Sequence, residues 1–444
     1  MASKGNKKKI EDVLAGATEK VLKDISSMYT TGLSEGPSAL GLCRIAESPQ
    51  LGITIRPPRK KVTIMIVGNH SAGKSSFINW YIQEGIQKTG VAIETRGFTF
   101  VASGKRRETL TGDATLRFFP FLDGFTRYEG IVPNLFTEIS TSREKNFLCC
   151  DFIDSPGLVD GNMLYPFPVE EAICWLADHV DLILVFLDPI GQATCKRTMD
   201  VVKRLNDSAN LEKVHYFMSK ADAVEKEHDR QRVLIQITQN LASRIKNSHA
   251  FNLPTFYLPK DDGTPCTIPN AIEEVCKEID KAINMTVQKS LKGLKDDCTR
   301  ILERCDQVVV QDREQKAANL KRRLQGILFW VLTGVSVLIL LAMFASLLAP
   351  SVCAVSLNCH HSALQAMISA SPIVREHSSI LLGGASVAVL VLAIVTHLVW
   401  RIQKVFNKKD LQAISTFKAT TQAILQQEAD LYKQYFETLS HADR

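Results

Sequence analysis

Charge is missing from two stretches of this 444-residue chain, residues 327–349 and 380–400, which are 23 and 21 residues long. Each suffices to cross a hydrocarbon core of about 30 Å, and two such runs in one chain argue against a buried core helix. Behind the N-terminal Met-Ala-Ser-Lys-Gly-Asn-Lys-Lys-Lys there is no apolar stretch. A cleaved signal peptide is therefore not expected, and the region that follows is expected in the cytosol. The 11 cysteines lack metal-site spacing, and adjacent Cys149 and Cys150 on an apolar run read as reduced core thiols rather than a disulfide framework. No basic stripe with interleaved aromatics accompanies the net charge of +6, so nucleic acid is not an expected partner. Lys7, Lys8 and Lys9, and Arg56, Arg59, Lys60 and Lys61, suit either an anionic lipid surface or plain solubilising charge.

The charges that are present flank the apolar runs asymmetrically. Lys321, Arg322 and Arg323 precede the first, Arg401, Lys404, Lys408 and Lys409 follow the second, and the connecting stretch carries only Arg375 and Glu376. This pattern predicts an integral two-span hairpin with cytosolic N- and C-terminal segments and a translocated loop, with Trp330 and Trp400 placed as interface anchors. Within the loop, Cys353 and Cys359 read as two unpaired thiols or a small disulfide, and His360-His361 as polar loop rather than a metal site.

Elsewhere, apolar periodicity predicts a helix over 10–34, closed by a Gly/Pro/Ser-rich stretch. Buried strands follow at 62–67, 147–153, 182–187, 214–218 and 255–258, separated by helical stretches. Continuous apolar strands alternating with helices predict an α/β, doubly wound, mainly parallel sheet. Residues 268–323 read as helices of a bundle or stalk, and 410–444 as a further helix that packs on the bundle or lies on the bilayer. The expected organisation is an N-terminal helical segment (1–60), a nucleotide-binding domain (61–262), a helical stalk (263–326), a first span (327–349), a translocated loop (350–379), a second span (380–400) and a cytosolic C-terminal helix (401–444).

The chemistry concentrates in three motifs. Gly68-Asn69-His70-Ser71-Ala72-Gly73-Lys74-Ser75 is a P-loop, continued by Ser76, between a strand and a helix. Its backbone N–H groups and helix N-terminus suit phosphate, Lys74 suits β/γ charge, and the Ser75 hydroxyl suits Mg²⁺. Asp154-Ser155-Pro156-Gly157 ends a core strand in the Asp-x-x-Gly arrangement, with Asp154 expected to hold Mg²⁺ and the Gly157 amide to sense the γ-phosphate. Ser219-Lys220-Ala221-Asp222 stands where guanine-binding proteins carry Asn/Thr-Lys-x-Asp, with Asp222 expected on the base edge and Lys220 over its face. A switch threonine that reaches Mg²⁺ is expected at Thr95, with Thr99 as the alternative. His70 suits positioning of the attacking water, or equally faces solvent or a dimer partner; Ser71 beside it is the other candidate catalytic residue.

These motifs resemble those of the dynamin superfamily over residues 61–259. The branch of the Eps15-homology-domain ATPases and sarcalumenin is the most similar, through 154–158, 169–185 and 219–222. In layout the chain resembles the mitofusin and atlastin fusion GTPases. The resemblance implies a dynamin-type G domain, Mg²⁺, homodimerisation through that domain, and an NTPase that tethers, fuses or remodels membranes. It leaves GTP, the favoured substrate, against ATP, since the Eps15-homology branch binds ATP. The alternative is a slow nucleotide-gated membrane switch or scaffold that recruits partners. The architecture favours the endoplasmic reticulum or endomembranes over the mitochondrial outer membrane.

Overall fold

The computed structural model describes residues 2–33, 40–90, 97–160, 164–190, 195–207, 211–245, 252–259, 266–353 and 378–442. The chain divides into two compact units: Met1–Glu47, Thr54–Thr299 and Thr420–Arg444 form the first, Ser48–Ile53 and Arg300–Ala419 the second.

A seven-stranded sheet organises the first unit. Its strands are β1 (Val62–Gly68), β2 (Phe98–Ser103), β3 (Glu108–Thr111), β4 (Leu135–Ser140), β5 (Cys150–Asp154), β6 (Leu182–Leu187) and β7 (Val214–Met218), in the spatial order β3-β4-β2-β5-β1-β6-β7. β5, β1, β6 and β7 run parallel, as do β2 and β4, whereas β2–β5 and β3–β4 are antiparallel. Every residue of β1, β5 and β6 is buried, as a sheet covered on both faces requires. The helices of this unit include α1 (Ala2–Thr30), α2 (Leu42–Ala46), α3 (Lys74–Ile82), α4 (Asp113–Phe118), α5 (Val169–Ala177), α6 (Lys196–Asp207) and α7 (Glu227–Ala242). One core layer includes Phe98, Phe100, Phe125, Ile173 and Val202, the other Phe77, Tyr81, Phe152, Phe186 and Phe256. Phe186 meets Phe77 and Phe256 edge-on, with ring centroids 5.3 and 4.9 Å apart.

Helix α8 (Ile272–Cys353) is 82 residues long. Its Val275, Ile279, Ile283, Val287, Leu291, Leu294 and Cys298 are buried at helical spacing. Tyr29 of α1 donates to Asp297 (2.7 Å). Tyr435 of α10 (Lys408–Ala442) donates to Asn284 (2.9 Å), so α1 and the end of α10 accompany this part of α8 within the first unit.

In the second unit, the later part of α8 lies beside α9 (Ser378–Val399) and the start of α10. Segment 401–407, between α9 and α10, is not helical, and α8 holds it by side-chain contacts. Buried Asn319 donates to the Gln403 carbonyl (2.8 Å) and accepts from its N–H (3.0 Å). Asp312 accepts from the Phe406 N–H (2.9 Å), and Arg322 donates to the Arg401 carbonyl (3.2 Å). The helices meet where Thr333 and Thr396 hydroxyls stand 3.2 Å apart, and Trp400 packs over Gly326, leaving no room there for a Cβ. Around this seam the large apolar side chains point outward: Trp330, Leu338, Leu390 and Ile394 are each more than half exposed.

Several elements differ from their sequence expectations. The strand expected over 147–153 starts at Cys150, because Phe147–Cys149 closes a 3₁₀ turn after Asn146. The strand expected at 255–258 reduces to a single bridge of Thr255 with Met218, since Pro254 and Pro259 flank it and proline donates no N–H. The first helix begins at Ala2 and ends at Thr30, not at 34. α8 runs four residues beyond 349 and takes in Cys353; Cys359, His360 and His361 lie outside the described residues.

Candidate nucleotide-binding site

The P-loop connects β1 to α3 and wraps around the first turn of that helix. Gly68 passes so close to the Phe186 carbonyl that no side chain fits, and Gly73 takes a left-handed φ of 83° just before the helix. Ser71 is also left-handed at φ 61°, a conformation that costs a non-glycine residue energy. Ser71 is exposed and His70 half-buried. Buried Lys74 donates to the Gly68 and Asn69 carbonyls at 3.2 and 3.0 Å. Burial pulls its pKa below the ordinary lysine value and nearby Lys220 adds to this, against the opposing pull of Asp154.

Asp154, at the end of β5, is fully buried beside the loop, and its Oδ2 accepts from the Ser75 hydroxyl at 2.5 Å. Burial pushes its carboxyl above the usual carboxylate range, while Lys74 and the Ser75 hydroxyl work the other way. Its second oxygen, Oδ1, is buried without a hydrogen-bond partner. An orphaned carboxylate oxygen beside a serine hydroxyl is the donor set that a hard divalent cation takes, so Ser75 and Asp154 fit Mg²⁺.

The segment after Asp154 is zipped onto the loop. The Leu158 N–H donates to the Gly68 carbonyl (3.1 Å) and the His70 N–H to the Leu158 carbonyl (3.0 Å). A Cβ on Gly157 would lie 2.8 Å from the His70 Cα, so this close approach requires glycine. At the far side, Ser219 is buried and its N–H donates to the Leu187 carbonyl (2.9 Å). Lys220, left-handed at φ 52°, brings its Cε within 3.8 Å of where a Gly73 side chain would begin. Its ammonium lies 3.8 Å from Asp188, a buried carboxylate at the end of β6. Asp222 is half-buried in the turn that follows.

The structure thus brings Gly68, Asn69, His70, Ser71, Ala72, Gly73, Lys74, Ser75 and Ser76 to the same edge of the sheet as Asp154, Gly157, Ser219, Lys220 and Asp222. Thr95 lies outside the described residues; Thr99 sits in β2 directly opposite Asp154 in the ladder. Sequence reasoning missed Asp188, whose signal was an acid ending a fully apolar strand. It also missed Thr198, which donates to the Asn69 side chain at 2.6 Å from α6.

Residues 63–220 match the family model of the 50S ribosome-binding GTPases. Among curated proteins, the chain is similar to EH domain-containing protein 2 of Rattus norvegicus and of Homo sapiens. Each is 24% identical over 182 residues, which cover 37% of this chain and 31% of the relative. The chain carries a P-loop GTPase domain. The match spans about a third of the length of those curated relatives. Among solved structures, this GTPase is similar to an oligomerised bacterial dynamin pair, described as providing a mechanism for long-range sensing and tethering of membranes. Identity there is 13%, covering 98% of this chain and 78% of that one, with a TM-score of 0.39. It is also similar to Toc33 from Arabidopsis thaliana, at 15% identity over 50% of this chain and 84% of that one, with a TM-score of 0.32.

Proposed function

We propose that this GTPase is anchored in a bilayer by α9 and the apolar part of α8, and that it tethers, fuses or remodels membranes through GTP-dependent pairing of G domains. The observation that carries the anchoring is the inverted surface of the second unit. Along α9 and the apolar part of α8, Trp330, Leu338, Leu390 and Ile394 face outward, while the hydroxyls of Thr333, Ser336 and Thr396 donate to their own helix at the Phe329, Leu332 and Leu392 carbonyls. Hydrocarbon demands this arrangement, because it offers polar groups no other partner. Among the described residues, one helix holds a window long and apolar enough to span, within Ile272–Leu341, and Gly383–Val399 is a shorter apolar helix. With the basic flanks, this supports two spans whose outer ends are cytosolic, in the endoplasmic reticulum or endomembranes ahead of the mitochondrial outer membrane.

Hydrolysis in this site rests on positioning and electrostatics, with no covalent nucleophile. The P-loop amides of 68–76 cradle the phosphates and Lys74 takes the β/γ charge. Ser75 and Asp154, joined by Thr95, would hold Mg²⁺, which supplies charge neutralisation at the γ-phosphate. His70 and Ser71 stand where the attacking water is oriented, and the Gly157 amide meets the γ-phosphate. Ser219, Lys220 and Asp222 face the base, with Asp188 steadying the Lys220 ammonium.

Light scattering of liposomes that carry the full-length chain, with GTP·Mg²⁺ and ATP·Mg²⁺ added separately, tests the reading. Clustering with GTP alone is expected. Clustering with neither, despite nucleotide binding, would replace tethering by a slow switch or scaffold that recruits partners.

A further inference from the structure

Four consecutive residues at the start of α6 hold both phosphate-facing segments. Asp160, three residues past Gly157, accepts from the Cys195 thiol (2.9 Å), the Lys196 N–H (2.7 Å) and the Arg197 N–H (3.0 Å). The Arg197 guanidinium donates to the Val159 carbonyl (3.1 Å), pairs with Glu170 (3.4 Å) and lies 5.2 Å from the centre of the Tyr165 ring. The Tyr165 hydroxyl in turn donates to the Gly157 carbonyl at 2.6 Å. Thr198 completes the set through Asn69 in the P-loop. Burial and the facing carboxylate keep the Cys195 thiol protonated, as a donor must be.

Two features distinguish this network from ordinary helix capping. A cap normally comes from the residue just before the helix. Here it comes from 36 residues earlier in sequence, out of the segment that follows Asp-x-x-Gly. Second, the peptide joining Gly157 to Leu158 is fixed at both ends: its carbonyl by Tyr165 and its N–H by the Gly68 carbonyl. With that peptide fixed, the freedom left to the preceding Gly157 N–H is narrowed to the φ and ψ of Gly157 itself, which glycine would otherwise combine with a mobile peptide on its other side.

We propose that Tyr165 and Asp160 are positioning residues for GTP hydrolysis, holding the Gly157–Leu158 peptide against the P-loop through the first turn of α6. Their effect is then specific to the γ-phosphate. GDP, held by the loop amides and Lys74, does not need the latch; the transition state does. The inference rests on the Gly157 amide facing the γ-phosphate and is independent of membrane anchoring.

The test is Tyr165→Phe, which removes one hydroxyl and keeps the ring, with Asp160→Ala as the harsher variant, both in the full-length chain in detergent. The readouts are single-turnover GTP hydrolysis, GDP affinity by fluorescent-nucleotide titration, and the thermal midpoint. Tyr165→Phe is expected to slow hydrolysis about tenfold, as the loss of one well-placed hydrogen bond does, and Asp160→Ala by more, with GDP affinity unchanged within about twofold. Unchanged hydrolysis in Tyr165→Phe would overturn the proposal. So would a parallel fall in hydrolysis, GDP affinity and thermal midpoint in both variants, since that marks a merely structural latch.

Discussion

The sheet unit keeps its large apolar side chains inside, whereas the apolar helix pair of the second unit turns many of them out. In the sheet unit, Val62 through Val67 and Leu182 through Leu187 are buried. In the second unit, Trp330, Leu338, Leu390 and Ile394 face outward while the threonine hydroxyls turn inward. Composition alone does not separate these cases, because both are rich in Val, Ile and Leu. What separates them is where the large apolar side chains sit, inside the sheet unit and on the outside of the helix pair.

Four experiments break or sharpen that comparison. The largest effect is expected from Lys74→Ala, which removes the only cation fully buried in the loop. GTP and GDP binding by isothermal titration should fall below detection, with the chain still recovered in the membrane fraction. Next, Phe186→Ala opens a cavity between Phe77 and Phe256 and should cost about 3–5 kcal/mol of G-domain stability, read from denaturant unfolding. Leu338→Arg should cost about 2.5–3.5 kcal/mol of insertion at a helix centre in lipid, read as release by alkaline extraction. On a surface built for water the same exposed position would tolerate Arg within about 0.5 kcal/mol, so retained extraction resistance in the variant would count against Leu338 facing lipid, and release of the unsubstituted chain would count against the bilayer. The smallest effect belongs to the Thr333–Thr396 contact. A double-mutant cycle with valine at each position should return a coupling of about 0.6 kcal/mol in the thermal stability of the detergent-solubilised chain.

Much of the site was legible because its chemistry is local. A P-loop is specified by glycines at fixed offsets and by Lys74 and Ser75 at the helix start, so eight residues suffice to announce it. Asp154 was legible as a polar residue that ends an apolar strand, and Asp222 as the last residue of a four-residue motif just after one. β2, β3 and β4 were not, because their pairing is set by distant partners: Thr99 by Asp154, Thr111 by Phe136. β3 is also almost wholly exposed and carries no apolar alternation. The Tyr165 contact with Gly157 and the reach of Thr198 to Asn69 depend on tertiary placement, which no spacing in the sequence encodes. The unbroken course of α8 was half-legible. No proline stands between Pro269 and Pro350, so nothing stops a helix at 326, yet the shift from charged to apolar composition there invites a boundary.

The pairing of Asn319 with both the N–H and the carbonyl of Gln403 has a mechanical consequence. A chain that leaves a helix and turns into another is ordinarily a slack joint, because its main-chain groups are free to trade partners with water. Segment 401–407 has less of that freedom: Asn319, Asp312 and Arg322 grip it at three points along its length. The corner between α9 and α10 is therefore an elbow set at one angle, and a load applied to the start of α10 reaches the apolar helix pair with little lost to play in the joint.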